Sequence, residues 1–241
     1  MDKLHLGEHI SQQFNEELEA VRSKVLRMGG VVEEQLRNAI SGLVTGNPTL
    51  AAEVVVNDQR VNALEMEIDE DCTRIVARRQ PAASDLRLVM TVIRTINDLE
   101  RIGDEVKRVA KMVESELSGI LEEDIRQELE HMGSLVREML HQVLDAFARV
   151  DIDAAVKVAK CDHKVDVKYE SITRQAITYM AQDPKSIPDM LRVLWAARAL
   201  ERVGDRCENI AEYVIYMMIG KDVRHSSIEE AVLEHRKSHQ A

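Results

Sequence analysis

Along the first segment of the chain, apolar residues return at steps of three, four or seven: Phe14, Leu18, Val21, Val25, Met28, Val32, Ala39 and Leu43. That spacing places them on one face of a helix, so it predicts a long amphipathic helix. Asn47-Pro48 closes this stripe and opens the next. Asn caps a helix N-terminus, and Pro at the first helical position lacks an N–H that would be unpaired there in any case. A second stripe runs through Val54, Val61, Ile68, Cys72 and Ile75. Gln80-Pro81 breaks it, because proline disfavours helix at the residue before it, and Ser84 is the expected cap of a third helix. That helix carries Val92, Ile96, Leu99, Gly103, Val106, Ala110 and Val113 in alternating steps of four and three, a spacing suited to an antiparallel bundle.

The same order is then written again. Met28-Gly29 returns as Met132-Gly133, Val32 as Val136, Leu36 as Leu140, Val54 as Val158, Asp58 as Asp162 and Val61 as Val165, each 104 residues on. Leu99-Glu100-Arg101-Ile102-Gly103-Asp104 returns as Leu200-Glu201-Arg202-Val203-Gly204-Asp205, now 101 residues on. Three residues are thus lost near the Gln80-Pro81 and Asp183-Pro184 turns, where a connection shortens without disturbing helix packing. The expected fold is all-α: two tandem, pseudo-symmetric three-helix bundles of six long helices, residues 1–118 and 119–220, followed by a short C-terminal tail, 221–241. The tail holds His225, His235 and His239 among charges and one weak apolar cluster, Ile228, Ala231 and Val232, which fits a short terminal helix or a frayed end.

Composition narrows the function. Only 3% of residues are aromatic, which disfavours sandwiches and barrels. The formal net charge of -11 and the even spread of charge argue against a nucleic-acid partner, which would need clustered Lys and Arg. Cys72, Cys161 and Cys207 form no C-x-x-C pair, so neither a zinc knuckle nor a disulfide framework is indicated, and they fit a reducing compartment. Met1-Asp2-Lys3-Leu4-His5 lacks the apolar core of a secretory signal, and the stretch Tyr213 to Ile219 is far below the roughly 20 residues that span a bilayer. A soluble protein is expected.

The candidate chemistry lies in carboxylates. Glu100 with Asp104, and Glu201 with Asp205, are four residues apart and therefore share a helix face at the edge of the apolar stripe. Gly103 and Gly204 lie within the stripe, where a neighbouring helix should come close. On helix two, Asp58 and Glu65 interleave with Val54, Val61 and Ile68, with Asn62 and Asp69 one turn beyond. The second copy places Asp162 and Asp166 four apart, with Glu170 a turn on and Tyr169 in place of Glu65. Oxygen ligands clustered on facing helices are what hard divalent cations require. The alternative is an ion-paired wet seam, since Arg94, Arg101, Arg108, Arg198, Arg202 and Arg206 share the same helices. Glu128-x-x-His131 and Glu138-x-x-His141 look like pieces of a di-iron carboxylate site, but such a site needs them on two helices and here both fall on one. No P-loop, G-x-S-x-G, H-E-x-x-H or G-x-G-x-x-G occurs, so nothing points to catalysis.

Four stretches carry a resemblance: Met28-Gly29-Gly30-Val31-Val32-Glu33, Arg79-Gln80-Pro81-x-x-x-Asp85-Leu86-Arg87, Leu99-Glu100-Arg101-Ile102-Gly103-Asp104 and Glu201-Arg202-Val203-Gly204-Asp205-Arg206-Cys207. Through them the chain resembles the PhoU family from about Leu4 to Arg224. The resemblance implies a non-enzymatic negative regulator of phosphate uptake. It would be cytoplasmic and recruited to the inner face of the membrane, where it relays phosphate sufficiency from a phosphate ABC transporter, through its ATPase subunit, to a sensor histidine kinase. It also implies a homodimer and metal ions (Mg, Mn, Fe or Zn) held by E/D-x-x-x-D motifs, here Glu100/Asp104, Glu201/Asp205, Asp162/Asp166 and Glu65/Asp69. Asp58-x-x-x-Asn62 departs from that pattern, so the first site is expected to be the weaker, or to hold fewer ions. Rival readings are a helical-bundle metalloenzyme or metal store and a metal-free scaffold. Val31 and Met66, apolar outside the main stripes, mark expected dimer surface.

Overall fold

The computed structural model describes residues 12–114, 122–223 and 227–238, and they contain helices and no strand. The helices are α1 (Gln12–Thr45), α2 (Pro48–Arg79), α3 (Ala83–Glu114), α4 (Glu123–Arg149), α5 (Ile152–Gln182), α6 (Ile187–Ile219) and α7 (Ile228–Ser238). The first three pack on one another, α4 to α6 do the same, and the two bundles join through α3 against α6 and α1 against α4. The stripes read from the sequence are the core: every member named for the first three helices is buried.

Helix ends follow local chemistry. Asn47 caps α2, its side chain accepting from the Thr49 amide at 3.0 Å, with Pro48 at the first helical position. The helix stops where Gln80, held before Pro81, adopts a left-handed conformation at φ 48° and donates its amide to Val76 O. The expected cap at Ser84 is not there: α3 already begins at Ala83, so Ser84 falls inside the first turn. In the second bundle Asp151 caps α5 through the Ala154 amide, and Asp183 caps a 3₁₀ turn, Pro184–Ser186, that runs into α6.

The bundles are related by an approximate twofold that the contacts make visible. Helices α3 and α6 run antiparallel: Arg87 Nε donates to Met217 O at 3.2 Å, Thr91 Oγ1 to Tyr213 O at 3.3 Å, and Arg206 meets Asp98 at 3.1 Å further along. Helices α1 and α4 cross through reciprocal glycine notches. A Cβ on Gly133 would lie 2.8 Å from Ile40 Cγ2, and one on Gly29 would run into the Leu144 side chain. Gly133 is Gly29 plus 104 and Leu144 is Ile40 plus 104, so each bundle offers the other the same groove.

The tail resolves in favour of a helix. Ala231 and Val232 of α7 are buried, and Lys160–Glu229 at 2.8 Å and an Arg236–Asp153 pair tie α7 to α5. His225 and His239 lie outside the described residues. Val31, expected as dimer surface, is in the core instead, whereas Met66 is 72% exposed. The stripe was broader than one face.

Candidate functional site

Each bundle carries an acidic seam where its second helix faces its third. In the second bundle Asp162 of α5 is only 8% exposed, and Asp166 stands one turn along at the edge. Opposite them α6 presents Glu201, also 8% exposed, with Asp205 and Glu208 half-buried. Gly204 makes the approach possible, since a Cβ there would sit 2.8 Å from Asp162 Oδ1 and 3.4 Å from Val165 Cγ1. Burial and crowding oppose ionisation. Asp162 is pushed up to about 7 by desolvation first, then by Glu208, Asp166, Asp205 and Glu201. Glu201, Asp205 and Glu208 are also raised, with desolvation the leading cause in each.

Two oxygens in this seam, Asp162 Oδ1 and Glu201 Oε2, are buried without a hydrogen-bond partner. The other Glu201 oxygen takes Arg198, whose guanidinium lies 5.7 Å from the centre of the Tyr169 ring. Tyr169 thus fills the place of Glu65 with a platform for an arginine and not with a ligand. Glu170 is exposed beyond it.

The first seam has the same frame and different contents. Asp58 of α2 is 2% exposed, while Glu65, Glu100 and Asp104 are half-buried, and Asn62 and Asp69 sit exposed at the lip. Here Asp58 has a cation: Lys107 Nζ of α3 lies 2.5 Å from its Oδ2. Hydrogen bonding to Asp58 raises the Lys107 ammonium above its ordinary value. Glu100 is raised by desolvation and then by Asp104, and Glu65 by desolvation and then by Glu100 and Asp69. Gln35 of α1 is buried with both amide atoms unpartnered, its Oε1 3.8 Å from where a Gly103 Cβ would stand. Gly103 has more room than Gly204, the nearest atom to such a Cβ being 3.6 Å away.

The arginines expected to neutralise these acids mostly serve elsewhere. Arg206 reaches Asp98 and Arg202 reaches Glu105, both at 3.1 Å and both across the α3–α6 interface. Arg108 also pairs with Glu105 at 2.6 Å, Arg101 donates to Asn97, and Arg94 lies over the Tyr213 and Tyr216 rings. Of these six arginines, Arg198 alone makes a direct ion pair with a seam acid, Glu201. The Glu-x-x-His pairs make separate contacts, Glu128 an ion pair with Lys168 at 2.9 Å and His141 a hydrogen bond through Nδ1 with Glu33 Oε1 at 3.1 Å.

Glu208 and Lys107 are not among the residues the sequence singles out, although their signal is simple. Each lies three residues beyond the aspartate of its E-x-x-x-D motif, and 208 minus 101 is 107. Asp98 and Glu105 are visible only once α3 and α6 are seen to pack.

A hard cation needs several oxygen donors at one point. The second seam fits by chemistry, with five carboxylates and two buried oxygens without partners. Its acids stand apart, and among the described residues no three His, Cys, Asp or Glu already form a metal-holding group. Asp162, Asp166, Glu201, Asp205 and Glu208 are the residues that would hold an ion there.

A family model described as the PhoU domain matches the chain twice, over residues 25–113 and 129–214, one match in each bundle. The chain belongs to the PhoU family. It is 48% identical over 230 residues to the phosphate-specific transport system accessory protein PhoU of Escherichia coli (strain K12), covering 95% of each chain. It is 48% identical over 229 residues to the PhoU homolog of Pseudomonas aeruginosa, covering 93% of each. Among solved structures, PhoU from Pseudomonas aeruginosa superposes with a TM-score of 0.84 at 46% identity, over 86% of this chain and 100% of that one. The phosphate transport system regulatory protein PhoU from Streptococcus pneumoniae gives 0.80 at 30%, over 87% and 99%. Both matched ranges include the helices that build the seams.

Proposed function

We propose that this chain is a cytoplasmic accessory regulator of phosphate transport and not an enzyme, relaying phosphate sufficiency from the phosphate ABC transporter, through its ATPase subunit, to a sensor histidine kinase. The observation that carries the reading is the near full-length relation to proteins named as accessory to the phosphate-specific transport system. It is compatible with the fold, since no described helix is long and apolar enough to cross a membrane. Deleting the gene should leave alkaline phosphatase and other phosphate-starvation outputs on in phosphate-rich medium. Normal repression in the deletion strain would remove the proposal.

Two further properties belong to it. The second seam takes a hard divalent cation, Mg, Mn or Fe, with Zn less suited to an all-oxygen donor set; the unpartnered Asp162 and Glu201 oxygens favour this over a wet ion-paired seam. Elemental analysis of untagged protein, together with its melting temperature in chelator and in added metal, decides the matter. The second property is a homodimer, supported by the apolar side chains left on the surface: Met66 on α2, and Ile187, Leu191 and the 58% exposed Trp195 at four-residue steps on one face of α6. Light scattering at micromolar concentration that finds only a 27 kDa species would exclude it.

A further inference from the structure

A carboxylate buried as deeply as Asp58 is costly to keep ionised unless a cation or several donors compensate it. In the first seam that compensation is part of the chain, since Lys107 Nζ lies 2.5 Å from Asp58 Oδ2. Adding 104 to Asp58 gives Asp162, and adding 101 to Lys107 gives Glu208. A Lys–Asp pair in one repeat therefore stands where two like charges face each other in the other, Glu208 being the foremost charge acting on Asp162. The unpaired oxygens follow this exchange. Asp162 Oδ1 and Glu201 Oε2 are buried without partners, whereas no described carboxylate oxygen of the first seam is left so.

We propose that Lys107 is a built-in cation that takes the place of a divalent ion in the first repeat, so that this chain binds a hard divalent cation in its second seam only. The ammonium repels an arriving dication and donates its protons to a carboxylate whose lone pairs a metal would need. Asn62 and the neutral Gln35 amide add no charge to the first seam, and its deepest carboxylate, Asp58, is already answered by Lys107. The second half of the proposal rests on the cation reading above; the first half, that Lys107 closes the first seam, does not.

The test uses full-length, untagged protein freed of metal by chelation, with manganese(II) as probe and two readouts: bound manganese per chain, and melting temperature with and without manganese. With Lys107 in place, Glu201→Ala/Asp205→Ala should bind no manganese and show no manganese-dependent rise in melting temperature. Adding Lys107→Glu to that double variant should lower the metal-free melting temperature by several degrees, create manganese binding, and make manganese restore the loss. Lys107→Gln in the same background, which adds no new charge, should do the same more weakly and decides the question if the Glu variant does not fold. Manganese bound by the double variant with Lys107 intact overturns the proposal, as does failure of both Lys107 variants to gain any. If wild type binds no manganese while the Lys107 variants gain it, the second-seam reading falls and the role of Lys107 stands.

Discussion

Asp58 and Asp162 occupy the same place in two bundles of the same design, yet the first meets an ammonium at 2.5 Å and the second meets four carboxylates and keeps one oxygen unpartnered. Burial is nearly the same for both, so burial alone cannot separate them. What separates them is the set of neighbours, above all Lys107 against Glu208 on the facing helix and Asn62 against Asp166 on their own. A duplicated backbone fixes where a charge sits, while its neighbours, Lys107 first among them, decide whether that charge is satisfied from within the chain or left waiting for something from outside.

The largest effect should come from Asp162 in metal-free protein. Its value of about 7 lies above the ordinary 3.8, so the folded state holds a proton that the unfolded state releases. Stability from this group is therefore fully present below about pH 4 and is lost as pH rises through about 7, by about 4 kcal/mol at most. Asp162→Asn should flatten that slope and stabilise the chelated protein at pH 8 in urea melts. Asp58→Asn, which abandons Lys107, should destabilise by about 1–3 kcal/mol. Equal signs for the two variants would break the contrast between the seams.

Importing the first repeat's solution into the second sharpens it. Glu208→Lys should raise metal-free stability at pH 8 by about 2 kcal/mol and remove any response of the melting temperature to added metal. A smaller effect separates the glycines. Gly204→Ala pushes a methyl group against Asp162 and should destabilise by about 1–2 kcal/mol, whereas Gly103→Ala has room and should gain about 0.5–1 kcal/mol from helix propensity. The smallest difference is between Arg202 and Arg101, equivalent residues of which only the first crosses to the other bundle. Denaturant midpoints should put Arg202→Ala about 0.5–1 kcal/mol below wild type and leave Arg101→Ala within about 0.3 kcal/mol of it.

The fold was legible because its signals are local and repeated. Helical spacing, Asn47-Pro48, Gln80-Pro81 and a Leu-Glu-Arg-x-Gly-Asp stretch found twice are enough to place six helices in two bundles. Errors arose where the outcome depends on a neighbour. Val31 falls outside a narrow stripe, but the buried face of α1 is broad enough to include it, and Ser84 is a capping residue type, but α3 begins one residue before it. The seam acids were found from spacing. The partners of the arginines were not, because Asp98 and Glu105 take Arg206 and Arg202 only through α3–α6 packing, a contact between residues about a hundred positions apart. Lys107 and Glu208 stand at the repeat's own spacing of 101, but each lies three residues outside its E-x-x-x-D motif, so the motif carries no signal for them.

Helix α6 packs against α3, α4, α5 and α7, more helices than any other element meets. Amides along Leu200 to Gly204 are thereby sheltered on several sides, and their hydrogens should exchange with solvent only when the molecule opens as a whole. The floor of the second seam is in that sense the most persistent part of the protein, while Asp166 stands half-buried at the seam's edge on α5 and Glu170 is exposed beyond it, where local fraying is easier. An ion settling there would be met by a fixed wall and a yielding one, and the order gained on binding would fall on α5.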